Sequence, residues 1–386
     1  MTTRVHVAGV GSTKFGTHSG RTLQSLAVEA ARAAIADSCI PQARIGCVFV
    51  GNFVGGIMTG QELLGPIVAA DLGLRGVAAI KIEAACASSS AAVRIGHDLI
   101  KAGAEDVVLV VGVERLTGFP RDALTTAMTA AIDQGTEGGA GLTFPGFWGM
   151  VMARHMQIYG TRREEVAAVT VKNRQCGTTN PLAQFQKPVS LEEVMASPLI
   201  CDPIRRFDCC PATDGAAAIV LASEAIAKKH GSPSVSIAAS VLVNAPVRIT
   251  DYNEITTHDG TVEAARRAYE KAGVGPQDID VAELHDCFSI AEIVDAEDLG
   301  FFVKGEGGLA LRPGATPPNK VVINPSGGLL SKGHPTGATG CGQIYEIAMQ
   351  MRGQHPNQVP NARFGLTHNG GGTAAAVTVH ILEATK

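Results

Sequence analysis

Runs of Val, Ile and Ala near residues 4–10, 46–53, 77–82, 107–113 and 216–222 read as strands, and apolar residues recur at helical spacing in several intervals between them. Such alternation predicts an α/β chain. One unit is especially clear. Ala92, Ile95, Leu99 and Ala102 share a helix face, and Gly103 stops that helix. Val107 to Val113 follows as an unbroken apolar run, the pattern of a parallel strand covered on both faces. Cys86 therefore falls just ahead of a helix N-terminus.

The chain also repeats itself. Val28-Glu29-Ala30-Ala31-Arg32 recurs as Val262-Glu263-Ala264-Ala265-Arg266; with one gap, Pro41-Gln42 matches Pro276-Gln277 and Phe53 matches Phe288. The matched order over a whole helix–turn–strand unit argues for duplication, with an N-terminal half over residues 1–235 and a C-terminal half over 236–386. Residues from about 115 to 205 have another texture, with GTEGGAGLTFPGFWG followed by a charged helical stretch from Thr161 to Arg174. They read as an insertion ahead of the last strand of the first half, serving as a lid or as a structural cap.

Composition narrows the function. A chain of 386 residues with 45% hydrophobic and 18% charged residues buries a large core. A net charge of -4 without a basic cluster gives no footprint for nucleic acid or for a membrane surface. The start, MTTRVHVAGVG, lacks the features of a signal peptide, and the longest aliphatic run is too short to cross a bilayer. The cysteines number nine and form no CxxC, so neither a disulfide framework nor a zinc ribbon is expected, and a reducing cytoplasm is. Cys209 and Cys210, though adjacent, read as small buried side chains.

Chemistry concentrates in three segments. Cys86 sits in Glu83-Ala84-Ala85-Cys86-Ala87-Ser88-Ser89-Ser90, where small neighbours leave access to the sulfur and a helix N-terminus favours the thiolate. By itself the segment suits an inert packed cysteine equally well. Asn324 to Gly340 crowds glycines around His334-Pro335, the composition of a tight loop that presents a histidine. Thr367-His368-Asn369-Gly370-Gly371-Gly372 reads as a second glycine-rich turn whose amides suit an oxyanion. Gly9-x-Gly11 has Lys14 at the third glycine position and is no dinucleotide fingerprint. The aromatic cluster Phe144, Phe147 and Trp148 is a candidate for lining a pantetheine tunnel, Phe147 and Trp148 foremost, and packing inside the lid explains it as well.

Together these segments resemble the thiolase superfamily over nearly the whole chain, most specifically in the block Gly333-His334-Pro335-Thr336-Gly337-Ala338-Thr339-Gly340. His285-Asp286-Cys287-Phe288 resembles the HDCF motif of the sterol carrier protein type, where other thiolases carry Asn-Glu-Ala-Phe; no sterol carrier domain is appended. The resemblance implies two duplicated βαβαβαββ halves packed in five layers (αβαβα), with an inserted loop domain. It implies a CoA-dependent acyltransferase that cleaves 3-oxoacyl-CoA, or condenses with acetyl-CoA, through an acyl-Cys86 intermediate. His334 would activate Cys86. The usual second cysteine, in a Cys-x-Gly turn, is replaced by His368-Asn369-Gly370, so acid–base work falls to Cys287, with His368 as the alternative proton shuttle. His285 and His334 would form one oxyanion site, and the amides of Cys86 and Gly370 the other. No metal and no permanently bound cofactor is implied; CoA and acetyl-CoA enter as substrates, and a homodimer or homotetramer is expected.

Three other readings compete. A decarboxylating ketoacyl synthase would carry an HGTGT-like block in place of HDCF. A retro-aldolase of this fold, acting on 3-hydroxyacyl-CoA with a small zinc-ribbon/OB-fold partner, tends to lack the nucleophilic cysteine. A non-catalytic acyl-CoA or lipid-binding component would form no adduct on Cys86.

Overall fold

The computed structural model describes residues 3–311 and 320–385. Its first half runs β1 (Val5–Ser12), α1 (Leu23–Ser38), β2 (Cys47–Gly51), α2 (Gly55–Thr59), α3 (Leu64–Asp71), β3 (Ala78–Ile82), α4 (Ser88–Lys101) and β4 (Val107–Glu114). An insertion follows, with α5 (Arg121–Thr129), α6 (Phe144–Tyr159), α7 (Arg163–Gly177), α8 (Leu191–Ala196) and the hairpin strands β5 (Leu199–Cys201) and β6 (Ile204–Arg205). β7 (Gly215–Ser223) then completes the half, and α9 (Glu224–His230) leads out of it. The second half comprises β8 (Val235–Asn244), α10 (Asp259–Ala272), β9 (Val281–Glu283), α11 (Ser289–Asp298), β10 (Val322–Ile323), α12 (Gly328–Ser331), α13 (Thr339–Met351), β11 (Phe364–Gly371) and β12 (Ala376–Glu383).

β5 and β6 pair separately, and the other ten strands form one sheet in the order β10-β9-β11-β12-β8-β1-β7-β4-β2-β3. Divided between β8 and β1, this is the same permutation twice, so the duplication read from the sequence is also a duplication of topology. Among the described residues only two pairs, His6 with Ser236 and Val7 with Val235, join the halves along the sheet. The repeated pentapeptides lie in α1 and α10, and the Pro-Gln pairs at the short 3₁₀ turns before β2 and β9.

Side-chain burial stacks the layers. Leu26, Ala30 and Ala34 of α1 and Val68 of α3 pack on Val48, Leu109 and Val220 of the first half's outer face. Ala264, Ala265 and Ala268 of α10 and Ala296 of α11 pack on Val241 and Val379 of the second. Between the halves, Ala92, Val93 and Ile100 of α4 share a core with Ile344 and Ile347 of α13. The result is αβαβα, the expected architecture. Among the described residues no helix is long and apolar enough to cross a membrane.

Three local expectations change. The buried face of α4 contains Ala92, Val93, Gly96 and Ile100, whereas Ile95 is 40% exposed; a helix covered on several sides by α13 and strands from both halves takes its buried stripe from those neighbours. β4 is parallel to β2 but antiparallel to β7. Residues 367–371 are strand rather than turn, held by pairing with β12 despite their glycines. Gly9 and Gly11 serve packing: a Cβ at Gly11 would lie 2.3 Å from the carbonyl oxygen of Ala30 in α1.

The insertion leaves the first half but packs on the second. Phe147, Trp148, Val151 and Met152 of α6 and Val166 and Val169 of α7 share a core with Ile290 and Val294 of α11 and with Leu330. It thereby roofs the seam between halves.

The glycine-rich block around His334 also serves that seam. A Cβ at Gly340 would lie 2.4 Å from that of Ser90, where the starts of α13 and α4 cross. Gly340→Val is expected to destabilise the protein by about 1–3 kcal/mol through overpacking, read as a lowered urea midpoint at unchanged m-value.

Candidate active site

Cys86 lies in the turn between β3 and α4. Ala85, before it, adopts φ 48°, a left-handed conformation that costs a non-glycine residue about 1–3 kcal/mol. Short polar bonds impose it: the Ser88 hydroxyl donates to the Ala85 carbonyl at 2.6 Å and accepts from the Ala84 amide at 2.9 Å, while Glu83 accepts from the Ala85 amide at 2.6 Å. This turn presents the sulfur to a cavity of about 260 Å³ whose lining includes Leu116, Leu124, Met128, Phe144, His285 and His334.

Beside the turn, at the end of β4, the buried Glu114 accepts hydrogen bonds from Asn52 Nδ2 and the Phe53 and Val54 amides on one side. On the other side it accepts from the Thr336 hydroxyl and the Gly337 amide. It therefore ties the His334 loop to the first half. Burial, and after it the charge of Glu114, push the Cys86 thiol up to about 12, against the pull of the Gly372 amide. The expectation of a lowered thiol pKa is reversed here. Desolvation outweighs the helix terminus.

His334 is held by its backbone and by its ring. Its amide donates to Thr213 Oγ1 at 3.0 Å, and its Nδ1 lies 2.7 Å from Thr339 Oγ1. Thr339 spends its hydroxyl proton on the Pro335 carbonyl, at 3.2 Å, so its oxygen accepts from His334 Nδ1–H. His334 Nε2 is then the lone-pair nitrogen. Burial pushes this imidazole down to about 3, which keeps it neutral and basic-side-out at physiological pH. Beneath the loop, the buried Lys332 pairs with Glu346 at 2.7 Å and donates to the Gly342 carbonyl.

His285 has the opposite tautomer. Asn369 Nδ2, a donor, faces His285 Nδ1 at 3.1 Å, so the ring proton sits on Nε2. The two imidazoles stand edge to face, 5.0 Å between centroids. Cys86 Sγ and one nitrogen of each ring lie within 4.8 Å of one another. Among the described residues only this cluster has the spacing for a cation, and the proton on His285 Nε2 opposes one. Burial, then the neighbouring His334, hold His285 well below the usual imidazole range.

The next motif residues have distinct tasks. Asp286 accepts from the Leu329 and Leu330 amides at the start of α12, at 2.7 and 3.3 Å, and anchors the segment before His334. Cys287 lines the main cavity, and burial raises its thiol well above the usual range. Cys210 lines the cavity too, and its amide donates to the Cys287 carbonyl at 3.0 Å. Cys209 also lines it. The adjacent pair is thus cavity wall, not interior filling alone.

The other candidates lie elsewhere. His368 sits behind Cys287, beside a second, much smaller cavity that Gly370 also lines. The amide directed at the Cys86 sulfur belongs to Gly372, two residues beyond Gly370. Phe147 and Trp148 do not line the main cavity; they pack in the core under the roof, and Phe144 of the same cluster faces the cavity instead. Sequence reading missed Glu114, Thr339, Asn369 and Cys210. Asn369 carries a trace as the residue between His368 and Gly370, Thr339 as part of the block around His334, and Cys210 reads as packing only.

The family model "Thiolase, N-terminal domain" matches residues 5–225, and "Thiolase C-terminal domain-like" matches residues 244–384. The acetyl-CoA acetyltransferase of Methanothermobacter thermautotrophicus is 41% identical over 98% of this chain and 99% of its own. Sterol carrier protein 2 of Oryctolagus cuniculus is 40% identical over 98% of this chain and 72% of its own. A solved structure described as an Ltp2–ChsH2(DUF35) aldolase superposes with a TM-score of 0.82 at 26% identity, covering 99% of this chain and 98% of that one.

Asn369→Asp would accept from His285 Nδ1–H and turn the lone pair of Nε2 toward the cavity. Losing one oxyanion donor in this way is expected to lower kcat about 10²–10³-fold, with KM little changed, in a steady-state thiolysis assay.

Proposed function

This chain belongs to the thiolase family, and from that premise we propose how its cavity residues divide the work. It is a CoA-dependent acyltransferase that reversibly breaks and makes the C2–C3 bond of 3-oxoacyl-CoA thioesters. The observation that carries the assignment of roles is the pair of opposed tautomers around Cys86. His334 Nε2 accepts the Cys86 proton, and the thiolate attacks the 3-oxo carbon. That transfer converts His334 Nε2 into a donor. It then works beside His285 Nε2–H.

Two oxygens gather charge, and each needs donors. The thioester oxygen of the departing acetyl-CoA carbanion is held by the two imidazole N–H groups, and the tetrahedral oxygen at C3 by the amides of Cys86 and the Gly370–Gly372 segment. C2–C3 cleavage leaves the acyl group on Cys86. Cys287, across the cavity, protonates C2, with His368 as the competing shuttle; the CoA thiol then gives up its proton and takes the acyl group from Cys86. No resident metal or cofactor has a step in this scheme, in which CoA and acetyl-CoA are substrates.

Leu116, Leu124, Met128 and Phe144 make the wall apolar, which supports an apolar acyl group. For assembly we favour a second copy of the chain. The outer edge of β3 has no partner strand among the described residues, and Ala78 and Ile80 on it are exposed. A DUF35-type protein, as in the description of the aldolase, is the competing occupant, and the mass of the isolated chain in solution decides between them. Nine free cysteines support a reducing, cytoplasmic setting.

Cys86→Ala is expected to abolish thiolysis and the acyl adduct seen by intact-protein mass spectrometry after mixing with acetyl-CoA. Cleavage of a 3-hydroxyacyl-CoA surviving that change would favour a lyase instead. Cys287→Ala should still acetylate Cys86 while thiolysis falls about 10²–10⁴-fold; unchanged thiolysis would transfer the proton to His368. Assays across acetoacetyl-CoA, medium-chain and bulky 3-oxoacyl-CoA substrates test the apolar-wall reading, and a preference for polar acyl groups refutes it.

A further inference from the structure

Behind Cys287 lies a cluster of which the scheme above uses only His368, as the competing shuttle. Asp295, on α11, is buried between two histidines: His258 Nδ1 is 3.4 Å from Oδ1, and His368 Nδ1 is 3.5 Å from Oδ2. His368 Nε2 is engaged with the Thr261 hydroxyl at 3.0 Å. Both ring nitrogens of His258 and Nδ1 of His368 are buried without a well-formed hydrogen bond. These groups converge on one cavity. Its volume is about 10 Å³, and Asp295, His258, His368, Cys287 and His285 all line it. One water requires about that much space, together with two to four polar partners.

A carboxylate in this position is costly unless it does something. Burial, with a smaller push from Glu292, raises Asp295 to about 6 against the pull of His368 and Lys304. Burial likewise lowers His258 and His368, each to about 4. The cluster thus changes charge by one proton close to neutral pH. The ionisable groups around Asp295 are Glu292 on its own helix, Lys304 after that helix, His258 before α10, His368 from β11, and His285 and Cys287 from the loop after β9; Asp298 and Asp259 act on His258. Lys304 is held outside the cavity by Asp298 at 2.8 Å and Glu297 at 3.5 Å.

We propose that Asp295, flanked by His258 and His368, loads and unloads the proton of Cys287 through one water in the cavity they share. The inference rests on the assignment of Cys287 as the acid–base group. In the condensing direction the Cys287 S–H bond breaks, its proton passes to the water, and a water proton passes to the Asp295 carboxylate. The Cys287 thiolate then takes a proton from C2 of acetyl-CoA, whose C–H bond electrons form the nucleophilic carbanion. As the carbanion attacks acyl-Cys86 the Cys86 thiolate leaves, and the proton held on Asp295 returns through the water and Cys287 to reprotonate it. In thiolysis the carbanion takes the Cys287 proton back, and the CoA thiol replaces it as its sulfur attacks acyl-Cys86. No proton is gained or lost over the cycle. Asp295 acts through Cys287, so it is a positioning residue for the proton and touches no substrate.

The test is deuterium wash-in at C2 of acetyl-CoA, read by mass spectrometry in D₂O from acidic to neutral pH, with acetylation of Cys86 measured in parallel. Wild-type wash-in is expected to rise as pH passes about 6, because the carboxylate accepts a proton only when ionised. Asp295→Asn should lower wash-in about 10²-fold or more and remove that inflection, while Cys86 acetylation is unchanged. Lys304→Gln, which leaves the cavity walls intact, should move the inflection to higher pH because a cation that favours the carboxylate is lost. It carries the test if Asp295→Asn fails to fold. An unmoved inflection in Lys304→Gln, or wild-type wash-in in Asp295→Asn, overturns the proposal. Cys287→Ala separates the two levels: lost wash-in there with a normal profile in Asp295→Asn leaves the role of Cys287 standing, and normal wash-in in Cys287→Ala refutes that role itself.

Discussion

One buried carboxylate, Glu114, closes the seam on which the catalytic apparatus depends. Cys86 comes from the first half and His334 from the second, and among the described residues the sheet joins those halves through only two residue pairs. Glu114 supplies a direct tie near the chemistry, accepting from Asn52, Phe53 and Val54 on one side and from Thr336 and Gly337 on the other. Hydrogen bonds to a charged group contribute about 1.5–3 kcal/mol each, enough together to fix the loop's position against a buried charge's desolvation. The same carboxylate raises the Cys86 pKa. Structure and reactivity are therefore coupled through one side chain.

Burial also keeps the three reacting groups neutral at rest. With Cys86 protonated and both imidazoles uncharged, no ion pair has to be stripped of water when substrate enters. Polarity is stored instead as direction. Thr339 and Asn369, neither able to titrate, decide which nitrogen of each imidazole carries the proton. Donors fixed in this way need no reorganisation as charge develops, which is the physical basis of oxyanion stabilisation.

Much of this was legible in the sequence because it was local. Five apolar runs of the first half became strands, the repeated pentapeptide marked α1 and α10, and the small residues around Cys86 and His334 marked a strand–helix turn and a crowded loop. Thr339 aside, which is five positions from His334, what escaped depended on contacts distant in sequence. Glu114 and Thr336 are 222 positions apart, and Asn369 and His285 are 84 apart. The face of α4 was misread because a helix covered on several sides has no single apolar stripe, and residues 367–371 because pairing with β12 overrode their glycines. Phe144 and Phe147 differ only in which side of α6 they occupy, and only the packing of α11 against that helix distinguishes wall from core.

The roof has a consequence for synthesis on the ribosome. Phe147, Trp148 and Met152 emerge with the first half, but Ile290 and Val294, which help bury them, are made roughly 140 residues later. At about 5–20 residues per second, the nascent roof waits on the order of 7–30 s for its packing partner. During that interval a large apolar surface has no native cover. The arrangement that roofs the cavity of the finished enzyme makes the growing chain a client for chaperones.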